Sequence, residues 1–535
     1  MPTSGGANPK AQGFRDRTHP GVLAALFATL ILLGASQVRA AELYAADGID
    51  LRWDNTLRYS EAFRVSPRST SLISNPNADD GDRNFAQGLI SNRLDLMSEF
   101  DLSEGNFGIH ASAAAWYDTV YHTRTDNDSP ASYNVLSVPN TAFAPAVRNL
   151  SGQYIDPEDA FVYGNFTVEG TPISFRVGRQ TLLWGESLFF DENSIAAAQA
   201  PVDYIKSLSA QDAYSNNVFL PVSQLSLTSQ PLANISLSFY YQFEWRPDRQ
   251  PGDGSYFSYN DYIGVGAQRL FSDANRYFVR QGDETPPAGQ YGIALHTTLD
   301  EWDLGLYALY FNAMEPVTLS ILASNPPAAG RIGSYEEVYP SGIRLYGFSF
   351  SGYLGDSNVA GEISARQNTP LSTYVPLSAA LPSADAYDTV ISRGNTLHAQ
   401  LSSISTFPAS ALWDSADLNL EADSDGVLTV TGDQLVRVQS DNPFDMSGRA
   451  LFQPRFFRLL PNLDLALPIG LGYQIAGRNR GYGERQGAGD VEIGISATYL
   501  SLWKATLSFT GFLGGPASQP LADRNFVGLS IERTF

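Results

Sequence analysis

Three histidines stand among alternating polar residues: His110 beside Ser112, His296 beside Thr298 and His398 beside Gln400. An imidazole next to a hydroxyl or a carboxylate is the chemistry of a general base or an activated nucleophile. The same residue on the polar face of a strand also does nothing more than hydrogen-bond into a wet interior. Spacing along a chain gives no proximity across a sheet, so these three are read as lumen residues and no catalytic group is assigned. Asp79-Asp80-Gly81-Asp82 and Asp423-Ser424-Asp425-Gly426 read as acidic loop tips, with the oxygen chemistry that holds calcium. Neither has the closing Glu of the twelve-residue calcium loop, so both are read as solvated turns, with no metal and no cofactor assigned. An ion held there would bridge loops. Arg176, Arg179 and Glu186 flank a helical insertion within a strand-rich chain. Charges in that position are tolerated when they face a lumen and pair, and these three are read as a cluster at the base of a constriction. No phosphate-cradling glycine loop, paired-carboxylate motif or nucleophile elbow stands out, and the absence of cysteine removes thiolate chemistry and disulfides together.

The elements that must position these groups are strands of period two. Ile49, Leu51, Trp53, Leu57 and Tyr59 alternate with polar residues, as do Ile235 through Trp245 and Val491 through Tyr499. Runs of about ten residues are long enough to cross a bilayer at a tilt. Short links at Ser103-Glu104-Gly105-Asn106, Gly170-Thr171-Pro172, Pro231-Leu232-Ala233, Asp300-Glu301, Gly355-Asp356, Pro408-Ala409-Ser410, Pro461-Asn462 and Leu500-Ser501 alternate with long stretches near 61–85, 122–157, 185–220, 247–290, 313–342, 367–392, 423–445, 476–487 and 512–523. Eight short and nine long connections predict an all-β fold, a transmembrane antiparallel β-barrel of about 18 strands, with 16 also compatible. A soluble meander has no reason to lengthen every second connection. The stretch 185–220 differs in texture, with helical runs at Ser194 to Ala200 and Asp203 to Leu208 broken by Pro201. It is expected to be a plug in the lumen or a lid outside it, the inward position being preferred. Aromatic residues at strand ends, including Trp53, Tyr117, Trp245, Trp302, Tyr499 and Trp503, would form interfacial girdles.

The two ends of the chain agree with this. Residues 1–40 carry Lys10, Arg15 and Arg17, then an apolar run from Gly21 to Ala35, then Val38-Arg39-Ala40, the order of a cleaved signal peptide. The apolar run is too short to span a bilayer as a helix, which leaves strands as the means of residence for 41–535. At the other end Val527, Leu529, Ile531 and Phe535 alternate with Gly528, Ser530, Glu532 and Thr534. This ending resembles the assembly signal of Gram-negative outer-membrane proteins, read by the barrel assembly machinery, although Arg533 stands where an apolar residue is usual. The formal net charge of −22 makes nucleic acid an implausible partner. Lys206 and Lys504 are the only lysines after residue 40, so the positive charge is nearly all arginine, the residue suited to bidentate pairs in a polar lumen.

The blocks Arg176-Val-Gly-Arg179-Gln180, Trp184-Gly-Glu186-Ser187, Pro201-Val202-Asp203, Phe239 to Trp245, Gly254 to Ser258, Gly289 to Ala294, Arg344 to Ser349 and Val359 to Ser364 resemble, in this order, the family numbered 1302 among the domains of unknown function. The resemblance implies a proteobacterial outer-membrane barrel in contact with membrane lipid and lipopolysaccharide. It further implies work alongside a periplasmic lipoprotein and an inner-membrane efflux-type transporter, on hydrophobic or lipid-like compounds. Two rival readings stay open, a passive porin for small hydrophilic solutes and an outer-membrane enzyme acting on lipids. An open lumen lined by charge favours the porin, an apolar slot or a gap in the wall favours transport of apolar compounds, and a close His–Ser or His–Asp pair at the outer rim favours the enzyme.

Overall fold

The computed structural model describes residues 41–46, 48–190, 192–209, 218–323, 329–371, 391–431, 444–478 and 485–535. The expected signal peptide at 1–40 lies outside the described residues, as do 210–217 of the insertion. Eighteen antiparallel strands form a closed ring. It runs from Ile49–Arg64 through Gly88–Glu104, Phe107–Asp118, Gln153–Val168, Thr171–Gln180, Val222–Leu232, Ile235–Gln242, Tyr291–Leu299 and Trp302–Phe311. It continues through Ile343–Leu354, Ser357–Pro370, Arg393–Phe407, Ser415–Thr431 and Phe444–Leu460, then Leu463–Ala466 with Ile469–Ala476 as one strand broken at Pro468, Gly489–Tyr499, Trp503–Leu513 and Phe526–Thr534. The last strand pairs with the first from Thr56↔Thr534 to Arg64↔Phe526, and Phe535 N–H bonds Asn55 C=O at 2.8 Å. No strand edge is left open along the ring, which is what a bilayer demands of a sheet.

Alternation assigns the two faces. Leu306 is 54% exposed, Leu401 55%, Ile493 52% and Leu507 49%, all on the outer face. Such a continuous apolar surface would aggregate in water and belongs against lipid. Arg533 falls on the same face by alternation but is covered, 5% exposed, with its guanidinium 5.2 Å from the centre of the Trp503 ring. An arginine that covers an interfacial indole keeps its charge satisfied at the membrane boundary, which explains the departure from an apolar pattern. Trp245 departs from the girdle expectation: it sits in a long loop, with its indole N–H on Ala313 C=O and its ring edge-on to Tyr339.

The long connections fold over one end of the barrel. A four-stranded sheet, Arg269–Asp273, Arg276–Arg280, Val317–Leu322 and Arg331–Val338, is built entirely from two of them. Beneath it Phe85, Tyr121, Phe143, Val147 and Tyr256 form an apolar cluster with Phe512 and Phe526. In sequence these stretches look like loops, because alternation in short segments between barrel strands is indistinguishable from loop composition.

Candidate functional site

The described part of the insertion between Thr171–Gln180 and Val222–Leu232 docks on inward-facing residues of the wall. It contains a 3₁₀ turn at Ala196–Ala198 and a helix at Tyr204–Ser209. Its path is set by carboxylates on the far wall. Glu362 accepts the N–H groups of Glu186 and Ile195, each at 2.8 Å, one on each oxygen. Glu421 accepts those of Leu188 at 2.9 Å, Phe189 at 2.6 Å and Phe190 at 2.9 Å. Arg366 donates to Asn193 Oδ1 and to Ser194 C=O. Irregular backbone at membrane depth survives only where such partners exist, and here two strand residues satisfy five backbone donors. The insertion also covers an apolar strip of the inner wall: Trp184 and Ile195 pack on Tyr240, Ala294, Tyr307, Leu309 and Leu345.

The residues singled out from sequence fall into three places. Glu186 lies on the docked insertion, bonded to Ser351 and close to Glu362 and Asp303; burial first, then the repulsion of those two carboxylates, pushes its carboxyl up to about 7. His296 faces the same region, edge-on to Tyr307 at 5.4 Å, and Tyr307 hydroxyl meets Ser349 at 2.9 Å. His398 is on the wall beneath the insertion, with Nδ1 3.0 Å from Asp425 and Nε2 3.8 Å from Glu362. Arg176 and His110 belong to the opposite part of the wall. There the His110 ring stacks on Phe161 at 5.2 Å, Arg176 covers the other side of the cluster at 5.3 Å from the same ring, and His110 Nδ1 is 2.8 Å from Asp101. Asp159 lies within electrostatic reach of His110, Arg176 and Arg179. Arg179 itself stands 4.0 Å from Glu244 at the loop end of the strand. Arg176 and Arg179 thus share Asp159, while the neighbours of Glu186 are Ser351, Glu362 and Asp303; the insertion is held by Glu362, Glu421 and Arg366, which strand alternation marks as inward-facing and nothing in the sequence marks as partners of a loop.

Asp423-Ser424-Asp425-Gly426 is not a loop tip. It lies within the strand Ser415–Thr431, paired with Arg393–Phe407, and Asp423 and Asp425 face His398. The first two strands of the ring carry inward-facing charge open to the lumen: side chains of Arg52 (57% exposed), Arg58 (47%) and Asp101 (44%), with Arg93 and Asp95 2.6 Å apart between them. The His–Asp pairs lie on the inner wall among arginines and carboxylates, not at the outer rim.

An edgeless barrel with an apolar outside and a charged inside is an outer-membrane β-barrel. Residues 22–535 match the family described as Protein of unknown function (DUF1302), and the chain belongs to that family. No curated protein matches it. Among solved structures, Acinetobacter baumannii OccAB3 is similar over 92% of this chain and 100% of its own, at 11% identity and a TM-score of 0.43. Pseudomonas aeruginosa OpdK, solved with vanillate, is similar over 91% of this chain and 98% of its own, at 11% identity and 0.41. The outer membrane channel DcaP of Acinetobacter baumannii covers 92% and 100%, at 10% identity and 0.37.

Proposed function

We propose that the protein is a diffusion channel for small hydrophilic solutes, narrowed from within by the 182–209 segment. The observation that carries this is the split of the inner wall. The apolar strip around Tyr240, Tyr307 and Leu345 is covered by the insertion's own Trp184 and Ile195, while the remaining wall offers Arg52, Arg58, Arg93, Arg176, Asp95 and Asp101. A solute that follows this wall meets fixed charges of both signs, which suits a hydrated, polar molecule and penalises an apolar one. Transport of hydrophobic compounds would use an apolar slot or a break between strands; here each strand is hydrogen-bonded to its neighbours around the ring. The wall at Arg58 and Arg176 acts as a charge filter, and the insertion sets the bore.

Planar-bilayer recordings and liposome swelling test the reading together. The intact protein should conduct steadily and admit small sugars and organic ions, and Arg58→Glu with Arg176→Glu should shift the reversal potential towards cations. A barrel that is silent, excludes every hydrophilic solute and moves an apolar dye would refute it and restore the hydrophobic-compound reading.

A further inference from the structure

We infer that the loop cap holds a calcium ion between Asp79, Asp80 and Asp261, with Asp253 as a fourth carboxylate beside them. Asp79, Asp80 and Asp261 each bring a ligand oxygen within 4.8 Å of the others, and all three are fully buried. Their remaining bonds fix the free oxygens. On Asp79, Oδ2 takes Arg83 and the Ser132 hydroxyl, which leaves Oδ1 without a donor. On Asp261, Oδ2 accepts the Asp80 N–H at 2.9 Å, and Oδ1 has no donor. Asp80 is steered by the Asn134 N–H at 2.7 Å and by Asn127.

The second observation is Asp253. It is 2% exposed, no N–H or hydroxyl donor reaches either of its carboxylate oxygens, and its carboxyl lies within hydrogen-bond reach of that of Asp261, close enough that the two repel when both are charged. A buried carboxylate with no donor, facing three more, has an uncompensated charge that a cation removes. Arg83 bonds this group through Asp79; Arg280 and Arg524 lie within electrostatic reach of Asp253 and Asp261 but spend their bonds elsewhere, Arg280 on Glu337 and Asp283, Arg524 with Arg64 on Asp82. The donor set is all oxygen, comes from irregular loops and contains no imidazole or thiolate, which selects a hard ion with flexible coordination: calcium over zinc, and over magnesium with its stricter octahedron. The ligands come from two connections, 65–87 and 243–290, with Asn134 of 119–152 clasping Asp80, so one ion would fasten three loops over the barrel mouth. Gly81 belongs to the same clasp, since a Cβ there would meet Ser258 C=O at 2.5 Å and Ser255 C=O at 2.8 Å.

The experiment uses full-length folded barrel refolded from inclusion bodies, free of lipopolysaccharide, and stripped with EGTA. Calorimetric titration with calcium chloride should give one site per chain with an affinity on the order of 10⁻⁵–10⁻³ M, and limited proteolysis of the loops should slow on adding calcium. Asp80→Asn with Asp261→Asn, which lowers the repulsion and so tolerates an unfilled site, should weaken calcium binding at least tenfold, on the order of one ligand's share or more. The double variant should keep its heat-modifiable migration, and Asp273→Asn, at an exposed loop pair, should bind as the parent does. Absence of calcium binding in the stripped parent overturns the inference, as does unchanged binding in the double variant. So does loop protection that follows pH alone and ignores calcium, which would mean that a shared proton holds these carboxylates together.

Discussion

Glu362→Gln combined with Glu421→Gln should undock the insertion while leaving the barrel closed. The two carboxylates hold five backbone N–H groups, those of Glu186, Ile195, Leu188, Phe189 and Phe190. Bonds to a charged acceptor contribute roughly 1.5–3 kcal/mol each and neutral ones about 1 kcal/mol. Glutamine keeps one carbonyl oxygen per residue, so at least one donor at each site loses its acceptor and the others lose their charge assistance. The gross loss is about 4–12 kcal/mol on those figures, and relief of repulsion between Glu421 and Asp423 returns part of it. Even a net change of about 3–5 kcal/mol, near the low end, shifts the docked-to-undocked ratio by roughly two to four powers of ten. Single-channel recording should register higher conductance with more noise, and protease should cut between Leu182 and Ala200 from the lumen side in the variant alone. Heat-modifiable migration should persist, because neither side chain takes part in strand pairing. If conductance and protease resistance are both unchanged in a correctly folded double variant, the insertion is not held by these carboxylates, and the mechanism of constriction fails with it.

Other outcomes follow from single residues. Glu186 has its carboxyl raised to about 7 in the docked state, above the ordinary value of 4.5, so its protonation favours docking: the insertion should be held most firmly below neutral pH and loosen as pH rises through about 7, seen as rising conductance, and Glu186→Gln should abolish that dependence. Flat conductance between pH 4.5 and about 7, the window that this shift defines, would count against it. Leu507→Arg on the lipid face should cost about 2–4 kcal/mol in urea titrations of the folded barrel, and Thr506→Arg on the lumen face much less; equal costs would reverse the faces. Phe535→Asp should stop membrane assembly, since it puts a charge at the apolar end of the closing strand, where the backbone of residue 535 is held against Asn55 at the seam, and a heat-modifiable variant would refute that role. In acid the cap should open: burial raises the Asp82 carboxyl, but Arg524 and Arg64 pull it down further, so the net shift is downward, and the stability this pairing supplies is present above the usual carboxylate range and disappears as pH falls through the lowered value, measurable as loop proteolysis.

The barrel was legible because its signals are local and repeated. Each strand states its own period, each short turn its own residues, and the eight short and nine long connections appear in the structure as the sequence ordered them. Left-handed residues such as Gly105 (φ 58°) and Gly170 (φ 83°) sit at the tight turns, where a chain reversing in two residues needs that conformation. The insertion was legible in texture and in its helical pieces, since alanine runs and Pro201 speak for themselves. Its partners were not. Glu362 and Glu421 look like any inward-facing strand acids, and only the closed ring brings them under a segment more than 160 residues earlier in the chain. Ser508 illustrates the same limit: alternation puts it on the lumen face, yet it is 3% exposed and packed near Gly494, so the lumen face there is not the open water that the pattern suggests. The acids at 423 and 425 were misplaced because Gly426 imitates a turn, while pairing with His398 keeps the strand running to Thr431.

The way the insertion is anchored has a consequence for the order in which the molecule forms. Glu186 is tied to a residue 176 positions away, and Leu188 to one 233 positions away, whereas each wall strand pairs with a near neighbour in sequence except at the seam. Local pairings form early and distant ones late, because the entropy of closing a large chain loop is met before any contact rewards it. The segment from Leu182 to Ala200 can find its seat only after strands Ser357–Pro370 and Ser415–Thr431 stand in place. The newly built cylinder therefore passes through a wide-bore stage, and the membrane is exposed to a leak whose lifetime equals the time the tether takes to settle. Variants that seat the insertion slowly would poison the cell during synthesis even where the finished protein conducts normally.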